Sequence, residues 1–571
     1  MAGDIGYAVT FNQHISISNL TFVDQACVLD EQFGRRHIEC GESSSYVAAV
    51  CCTCGFFASA ARVCDNRCMN DFVKQVENAR VYDVAIESPL ELAPNLSERL
   101  GNRILLKRED LQSVFSFKLR GAYNKLASLS DAEAANGVIC SSAGNHAQGV
   151  ALAAKQRGVR AVIVMPVTTP SIKVDAVRNL GGEVVLHGDN YDEAFARASE
   201  LKQEQDLVFI HPFDDPDVIA GQGTIGAEIL RQCDSDIEAV LVPIGGGGLI
   251  AGIASYIKAL QPGIRIIGVE PEDSAAMRDS IAAGEAVTLE HVGIFADGVA
   301  VKRVGETTLK LCQQHVDEFI TVDTDQICAA IRDIFEDTRS IVEPAGGLAV
   351  AGLKKYLTEN PLQGKTFVTI NCGANVNFDR LRHIAERAAV GEQTEMLLAA
   401  EIPEEPGSFR HFCETIGRRG ITEFNYRYND NRKAHIFVGV QLRDGQTERD
   451  QLLETLRGAK YLVADLSDNE MAKLHVRHMV GGPSSGIANE RLFRFEFPER
   501  PGALIDFLQA IGTDWNISLF HYRNHGSDFG RILAGIDVPE EETDRLEAHL
   551  GELGYAHWEE SDNPAYTMFL S

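Results

Sequence analysis

Positive charge is scarce in this chain: 53 Lys+Arg stand against 82 Asp+Glu, a formal net charge of −29. Such an excess of acid repels phosphate backbones and anionic lipid surfaces at long range, so nucleic acid is excluded as an expected partner. No apolar run approaches the roughly 18 residues that a membrane-spanning helix needs, which removes the membrane as well. A clean pair of cysteine clips is missing too. Seven of the 13 cysteines lie at Cys27, Cys40, Cys51, Cys52, Cys54, Cys64 and Cys68, but the spacing of Cys51, Cys54, Cys64 and Cys68 makes no pair of C-x2-C clips, so no metal is expected. The other six are scattered singly through apolar stretches, as in Cys328 and Cys413, and read as reduced, buried thiols of a cytoplasmic protein. Residues 1–68 lack a charged start followed by an apolar run and a cleavage site, and they are too acidic for a transit peptide. They are read as an unstructured extension, or as a stretch ahead of a start at Met69.

What is present fits a soluble globular protein. At 571 residues, 45% apolar and 24% charged, the chain exceeds one ordinary core and implies two to four domains. From about residue 80 to 390, short β-branched runs at 137–140, 161–166, 183–188, 239–244, 264–270 and 367–371 alternate with helical patterns such as 145–156 and 219–232. This is the pattern of an α/β domain with a mostly parallel sheet, in which ligands collect beyond the carboxyl ends of strands.

Near residue 395 the pattern changes to a duplicated unit. Pro403-Glu404-Glu405-Pro406-Gly407-Ser408-Phe409 returns 95 positions later as Pro498-Glu499-Arg500-Pro501-Gly502-Ala503-Leu504. Asn425-Tyr426-Arg427 and Val438-Gly439-Val440 return at an offset of 96 as His521-Tyr522-Arg523 and Ala534-Gly535-Ile536. Each copy reads as a βαββαβ ferredoxin-like module, with Gly481-Gly482-Pro483-Ser484-Ser485-Gly486 composed like a linker between them. The expected domains are therefore a leader at 1–68, a catalytic domain at 69–390 and regulatory modules at 395–480 and 490–571.

Three segments carry the chemistry: Ser116-Phe117-Lys118-Leu119-Arg120-Gly121, Ser142-Ala143-Gly144-Asn145-His146, and Gly245-Gly246-Gly247-Gly248-Leu249. An aldehyde cofactor needs an amine, and a lysine in an apolar setting loses its charge readily enough to serve; Lys118, between Phe117 and Leu119 at a helix start, is that candidate. Alone it would read as one more surface lysine. A cofactor phosphate needs backbone N–H donors at close approach, which the glycines from Gly245 to Gly248 supply between a strand and a helix N-terminus. A dinucleotide loop is the competing reading, against which the run has no G-x-G-x-x-G spacing; a plain structural turn stays open. Asn145 can reach a cofactor ring hydroxyl, and Ser142, Ala143, Gly144 and His146 line a helix start suited to a substrate carboxylate. Cys372, after the strand ending at Asn371, falls at the same sheet edge, where a thiol would be a weak, neutral partner for a pyridine nitrogen. An ordinary core cysteine would look the same.

With these segments, and with Phe295-Ala296-Asp297-Gly298-Val299-Ala300-Val301-Lys302 and Glu343-Pro344-Ala345-Gly346, the chain from about Val81 onward resembles the threonine deaminase family of fold-type-II pyridoxal phosphate enzymes. The resemblance implies pyridoxal 5'-phosphate as cofactor, a Schiff base on Lys118, a ring contact from Asn145, phosphate binding by Gly245 to Leu249 and Cys372 facing the ring nitrogen, where serine is the usual residue. It further implies deamination of L-threonine, and of L-serine, to a 2-oxo acid and ammonia, a homotetramer, and ACT-like modules that bind isoleucine, opposed by valine. Phe409, Leu504 and Leu508 are the candidate effector pocket, and they read equally well as core. A serine dehydratase or racemase would share the first 390 residues without needing the repeat. A non-enzymatic amino acid sensor has no use for Lys118, and a cysteine-forming synthase fits the Asn145-His146 loop less well.

Overall fold

The computed structural model describes residues 20–23, 26–29, 71–403, 408–417, 419–428, 433–478, 489–498, 515–523 and 529–570. The chain divides into two units, Met1–Lys74 and Gln75–Ser571. In the first, Leu20–Val23 pairs antiparallel with Ala26–Leu29. Two apolar, partly β-branched runs separated by two positions have hairpin spacing, a signal that the reading of the leader as unstructured passed over. Cys51, Cys54, Cys64 and Cys68 lie outside the described residues, as does the segment 481–486. Among the described residues no cluster of His, Cys, Asp or Glu is suited to a metal ion, and no helix is long and apolar enough to cross a membrane.

The second unit begins with two parallel layers where the sequence pattern suggested one sheet. A six-stranded sheet runs, edge to edge, Glu318–Val322, Arg265–Pro271, Ile237–Pro243, Thr366–Asn371, Arg103–Arg108 and Leu90–Leu92, with only the last strand antiparallel. A four-stranded sheet runs Glu183–Leu186, Ala161–Met165, Val138–Ser141 and Val208–Phe209, all parallel. Helices cover both faces of this smaller sheet. Ala122, Leu126, Ala147, Val150 and Ala151 pack on one side of it, and Ala194, Ala198 and Leu201 on the other. Burial on both faces is why such strands read as continuous apolar runs. Arg103–Arg108 was missed because it ends in Lys107 and Arg108, which look like surface residues but are buried in the sheet.

Those buried charges form a closed set. The Lys107 Nζ lies 2.6 Å from Glu228 Oε2, and Arg120 donates to the other oxygen of Glu228 at 2.6 Å and to both oxygens of Glu109 at 2.8 Å. All four side chains are fully buried, so each charge depends on its partners for the solvation it has lost. Arg120 sits two residues beyond Lys118 in the helix Lys118–Ser128, so this set fixes the register and tilt of the turn that presents Lys118.

After the helix Arg380–Gly391 come two antiparallel sheets of identical topology. The first contains Glu395–Pro403, Ile421–Tyr428, Lys433–Gln441 and Leu462–Asp465, with helices Ser408–Ile416 and Gly445–Gly458. Its sheet order places the first strand between the third and fourth and the second at the edge, the ferredoxin-like arrangement. The second sheet repeats that order with Glu490–Pro498, Asn516–Arg523, Phe529–Asp537 and Ala556–Glu559. Even irregularities recur: the ladder slips between Ile421 and Glu423 and again between Ile517 and Leu519, and the Thr422 hydroxyl donates to Glu395 as the Ser518 hydroxyl does to Glu490. One face of the first sheet packs on its two helices and one face of the second on helix Thr543–Glu552, and the other faces share a cluster that includes Leu397, Phe437, Leu492, Leu533 and Phe569.

Removing one member of the buried charge set strands its partner. Arg120→Met is expected to destabilise the chain by about 3–5 kcal/mol, read from urea unfolding curves, whereas an exposed pair such as Arg160–Glu183 should give about 0–1 kcal/mol when broken.

Candidate active site

The predicted segments converge at the carboxyl ends of the parallel strands. Strand Ile237–Pro243 leads into the glycine run, Thr366–Asn371 into Cys372, and Val138–Ser141 into the loop 142–145. Lys118 is brought there by a short zipper: Phe117 N donates to Cys372 O at 3.3 Å, Ala374 N donates to Phe115 O at 2.8 Å, and Ser116 bridges Gly373. The turn before it is strained, since Phe115 holds φ at 56°, a left-handed conformation that a bulky residue adopts only when its surroundings enforce it. Around this point Lys118, residues 142–144, Gly245, residues 297–298 and 374–377 keep partial solvent contact amid buried neighbours, which marks the opening.

Burial dominates the titration of Lys118 and lowers its amine from the usual value, although Glu343, Cys372 and Asp297 pull the other way. Among the described residues no hydrogen bond or ion pair engages the amine. Cys372 is 3% exposed, and burial, with Glu343 nearby, pushes its thiol well above the ordinary range, so it is neutral.

Asn145, the first residue of helix Asn145–Arg157, is gripped from both ends. Its Nδ2 donates to Glu343 Oε1 at 2.6 Å, and its Oδ1 accepts from Asn375 Nδ2 at 2.7 Å, which leaves one N–H for a ligand. Glu343 was singled out in the sequence only as part of a motif. Here it precedes helix Pro344–Glu359, is 3% exposed, and has its carboxyl raised to about 7 by burial and by the charge of Asp297, against the opposing hydrogen bond from Asn145. The imidazole of His146 is buried. Its Nε2–H donates to Ile210 O at 2.9 Å, and burial lowers its pKa to about 3, so the ring is neutral and one of its nitrogens is committed to the backbone. Ser142 Oγ accepts from Gly144 N at 3.3 Å, and open space surrounds Gly144.

Among the described residues, none of the N–H groups of residues 245–249 finds an acceptor in the protein. They form a concave donor set at the N-terminus of helix Gly248–Leu260, with Gly247 at φ +95° as its N-cap. A Cβ at Gly246 would lie 2.2 Å from the Phe213 ring, so only glycine lets the loop sit this close. The loop is pinned from outside as Thr308 Oγ1 donates to Gly246 O at 2.7 Å. Next to it, Val299 lies against Gly245, and the preceding Asp297 is bound by Lys173 at 2.6 Å and Arg380 at 3.1 Å. Burial would raise the Asp297 carboxyl, but those two cations outweigh it and hold the group well below the usual range.

A primary amine without a counter-ion, five unsatisfied N–H donors and a neutral thiol fit the aldehyde, phosphate and pyridine nitrogen of pyridoxal phosphate. Ser116 Oγ and both polar side-chain atoms of Asn371, buried beside Lys118 and Cys372, have no protein partner either. Fold and site thus define a pyridoxal-phosphate-dependent enzyme. Residues 81–373 match the family profile described as pyridoxal-phosphate dependent enzyme, and residues 386–476 and 481–570 both match that of the C-terminal regulatory domain of threonine dehydratase. The L-threonine dehydratase biosynthetic IlvA of Burkholderia multivorans is 56% identical over 505 residues, covering 88% of this chain and 99% of that one. The mitochondrial threonine dehydratase of Saccharomyces cerevisiae is 50% identical over 514 residues, covering 88% and 89%. Among solved structures, the processed form of threonine deaminase isoform 2 from Solanum lycopersicum is 52% identical with a TM-score of 0.55, covering 56% of this chain and 93% of that chain. The structure of maize serine racemase is 32% identical with a TM-score of 0.52, covering 55% and 95%. The chain belongs to the biosynthetic threonine dehydratase family.

Two measurements test the site. A carboxyl whose folded pKa is raised stabilises the fold fully below its unfolded value and loses that contribution as pH rises through the folded value; for Glu343 the window runs from about 4.5 to about 7. The unfolding temperature of Glu343→Gln relative to the parent should therefore climb between pH ~5 and ~8. Gly246→Ala should weaken cofactor binding by about 1–3 kcal/mol in a fluorescence titration, and Phe213→Ala in the same chain should recover part of that loss.

Proposed function

We propose that this chain deaminates L-threonine to 2-oxobutanoate and ammonia by β-elimination, with L-serine as a second substrate giving pyruvate. The observation that carries this reading is the amine of Lys118, without a hydrogen bond or ion pair among the described residues, presented by a turn whose Phe117 N donates to Cys372 O at 3.3 Å. Pyridoxal phosphate, when bound, supplies an aldehyde that bonds amines and a ring that withdraws electrons from Cα. The residues do the rest. The N–H groups of 245–249 would hold the phosphate, and those of the loop 142–146 the substrate carboxylate. Lys118, with its depressed pKa, is suited to take the Cα proton as general base. Asn145, fixed by Glu343 and Asn375, orients the ring through its remaining N–H. Cys372 offers the pyridine nitrogen no negative charge, so electron withdrawal stays moderate, which favours prompt loss of the β-hydroxyl as water over long-lived carbanion chemistry.

The architecture supports a division into a catalytic domain at 69–390 and regulatory modules at 395–480 and 490–571 that bind isoleucine as inhibitor, with valine opposing it. The candidate pocket residues Leu504 and Leu508, and the side chain of Phe409, lie outside the described residues. A homotetramer and a cytoplasmic location complete the proposal.

Ketoacid release from threonine by the full chain should fall when isoleucine is added and recover with valine. Lys118→Ala should lose the visible absorbance of the bound cofactor and lower turnover by about 10³-fold or more. Retained turnover in that variant refutes the assignment.

A further inference from the structure

The Asp297 carboxylate joins three parts of the molecule. One oxygen accepts from Lys173 at 2.6 Å, on the helix Ser171–Asn179 of the four-stranded layer. The other accepts from Arg380 at 3.1 Å, the first residue of helix Arg380–Gly391. Asp297 itself belongs to the segment that lies over the end of the six-stranded layer. There the Cα of Val299 comes within 3.0 Å of where a Cβ on Gly245 would be, and Glu343 Oε1 within 3.4 Å of one on Gly298. The buried-side ion pair between Lys173 and Asp297 therefore ties one layer to the other across the opening, and a more exposed pair, Lys302–Asp192 at 3.3 Å, joins the same segment to that layer.

Arg380 is also clamped to this segment, since its guanidinium donates to Ile294 O at 3.0 Å and lies 5.9 Å from the centre of the Phe295 ring, which meets His383 edge to face. Arg380, His383, Ile384 and Arg387 are buried at spacings of three, four and seven, so they form one stripe of the helix. At the far end, about 10 Å along the axis, Arg387 makes a two-pronged pair with Glu470 at 2.9 and 2.6 Å and also donates to Asp325. Lys473 bonds Asp325 at 2.6 Å and Glu470 at 2.7 Å. Glu470 and Lys473 belong to helix Glu470–Leu474, whose Met471 and Ala472 pack in the cluster shared by the two antiparallel sheets. One rigid helix thus has its first turn on the active-site segment and its last two turns on the seam of the duplicated region.

We propose that Asp297 is a positioning residue that latches the two parallel layers over the reaction site, and that helix Arg380–Gly391 carries changes in the duplicated region into that latch. An effector acts only through contacts that differ between two states, and the Arg387–Glu470 pair is a contact that a shift of the duplicated region would alter. The inference deepens the regulatory reading given above and rests on it for its effector arm; the latch stands on the ion pairs alone.

The test uses the full chain and two readouts, steady-state kinetics with threonine and amide hydrogen exchange of residues 171–179. Lys173→Met should raise KM about tenfold while changing kcat much less, and should speed exchange in that helix by a similar factor, with Lys173→Arg recovering both. Glu470→Gln touches neither Lys173 nor Asp297 and should leave turnover at saturating threonine within about twofold, yet speed exchange at 171–179 about threefold or more. Should Glu470→Gln unfold, Arg387→Lys reads the same link. Unchanged KM and exchange in Lys173→Met overturn the latch, and unchanged exchange at 171–179 in the folded Glu470 or Arg387 variant overturns the coupling. If the parent chain releases no ketoacid from threonine, the activity reading fails on its own account, and the exchange measurements still decide the latch.

Discussion

The amine of Lys118 has no counter-ion in hydrogen-bonding reach among the described residues, and keeping it so in a desolvated place constrains everything around it. Burial lowers its pKa, which eases loss of the proton and so favours its use as nucleophile and base, but an uncompensated amine is costly to hold. Two devices meet that cost. The helix that starts at Lys118 is anchored two residues on by Arg120, whose guanidinium donates to Glu109, Glu228, Thr224 and the Ile86 carbonyl. The turn before it is fastened to residues 372–374 by backbone hydrogen bonds, tightly enough to keep Phe115 in a left-handed conformation.

The surrounding carboxyls are sorted by their own partners. Asp297, between Lys173 and Arg380, stays ionised. Glu343, with an amide rather than a cation as its partner, is poised near neutrality. Two carboxyls near one amine thus differ in charge because their environments differ, which lets one serve as an electrostatic tie and the other as a proton-bearing neighbour of the ring contact. The Cys372 thiol, neutral through burial, adds no charge to this set.

Much of this was legible in the sequence where the signal is local. The lysine run, the glycine run, the loop at 142–146, the strands before them and the tandem repeat all depend on neighbours within a few residues, and the structure brings the first three together at the carboxyl ends of strands from both parallel layers. What was not legible depends on distant partners. Asn145 meets Glu343 across 198 positions and Lys173 meets Asp297 across 124, so no spacing rule finds either pair. The split into two parallel layers is of the same kind, since strand periodicity reports burial and not the pairing partner: Arg103–Arg108 lies beside Thr366–Asn371, far along the chain. His146 gains a partner of the same distant kind, since its ring bonds Ile210 O across 64 positions.

The central claim is chemical and can be read directly. Reduction of the cofactor-loaded protein with borohydride, followed by digestion and peptide mass analysis, fixes the cofactor to whichever amine it was bonded to. The account predicts a single labelled position, Lys118. Labelling spread over exposed lysines, or confined to another buried one such as Lys107, would contradict it.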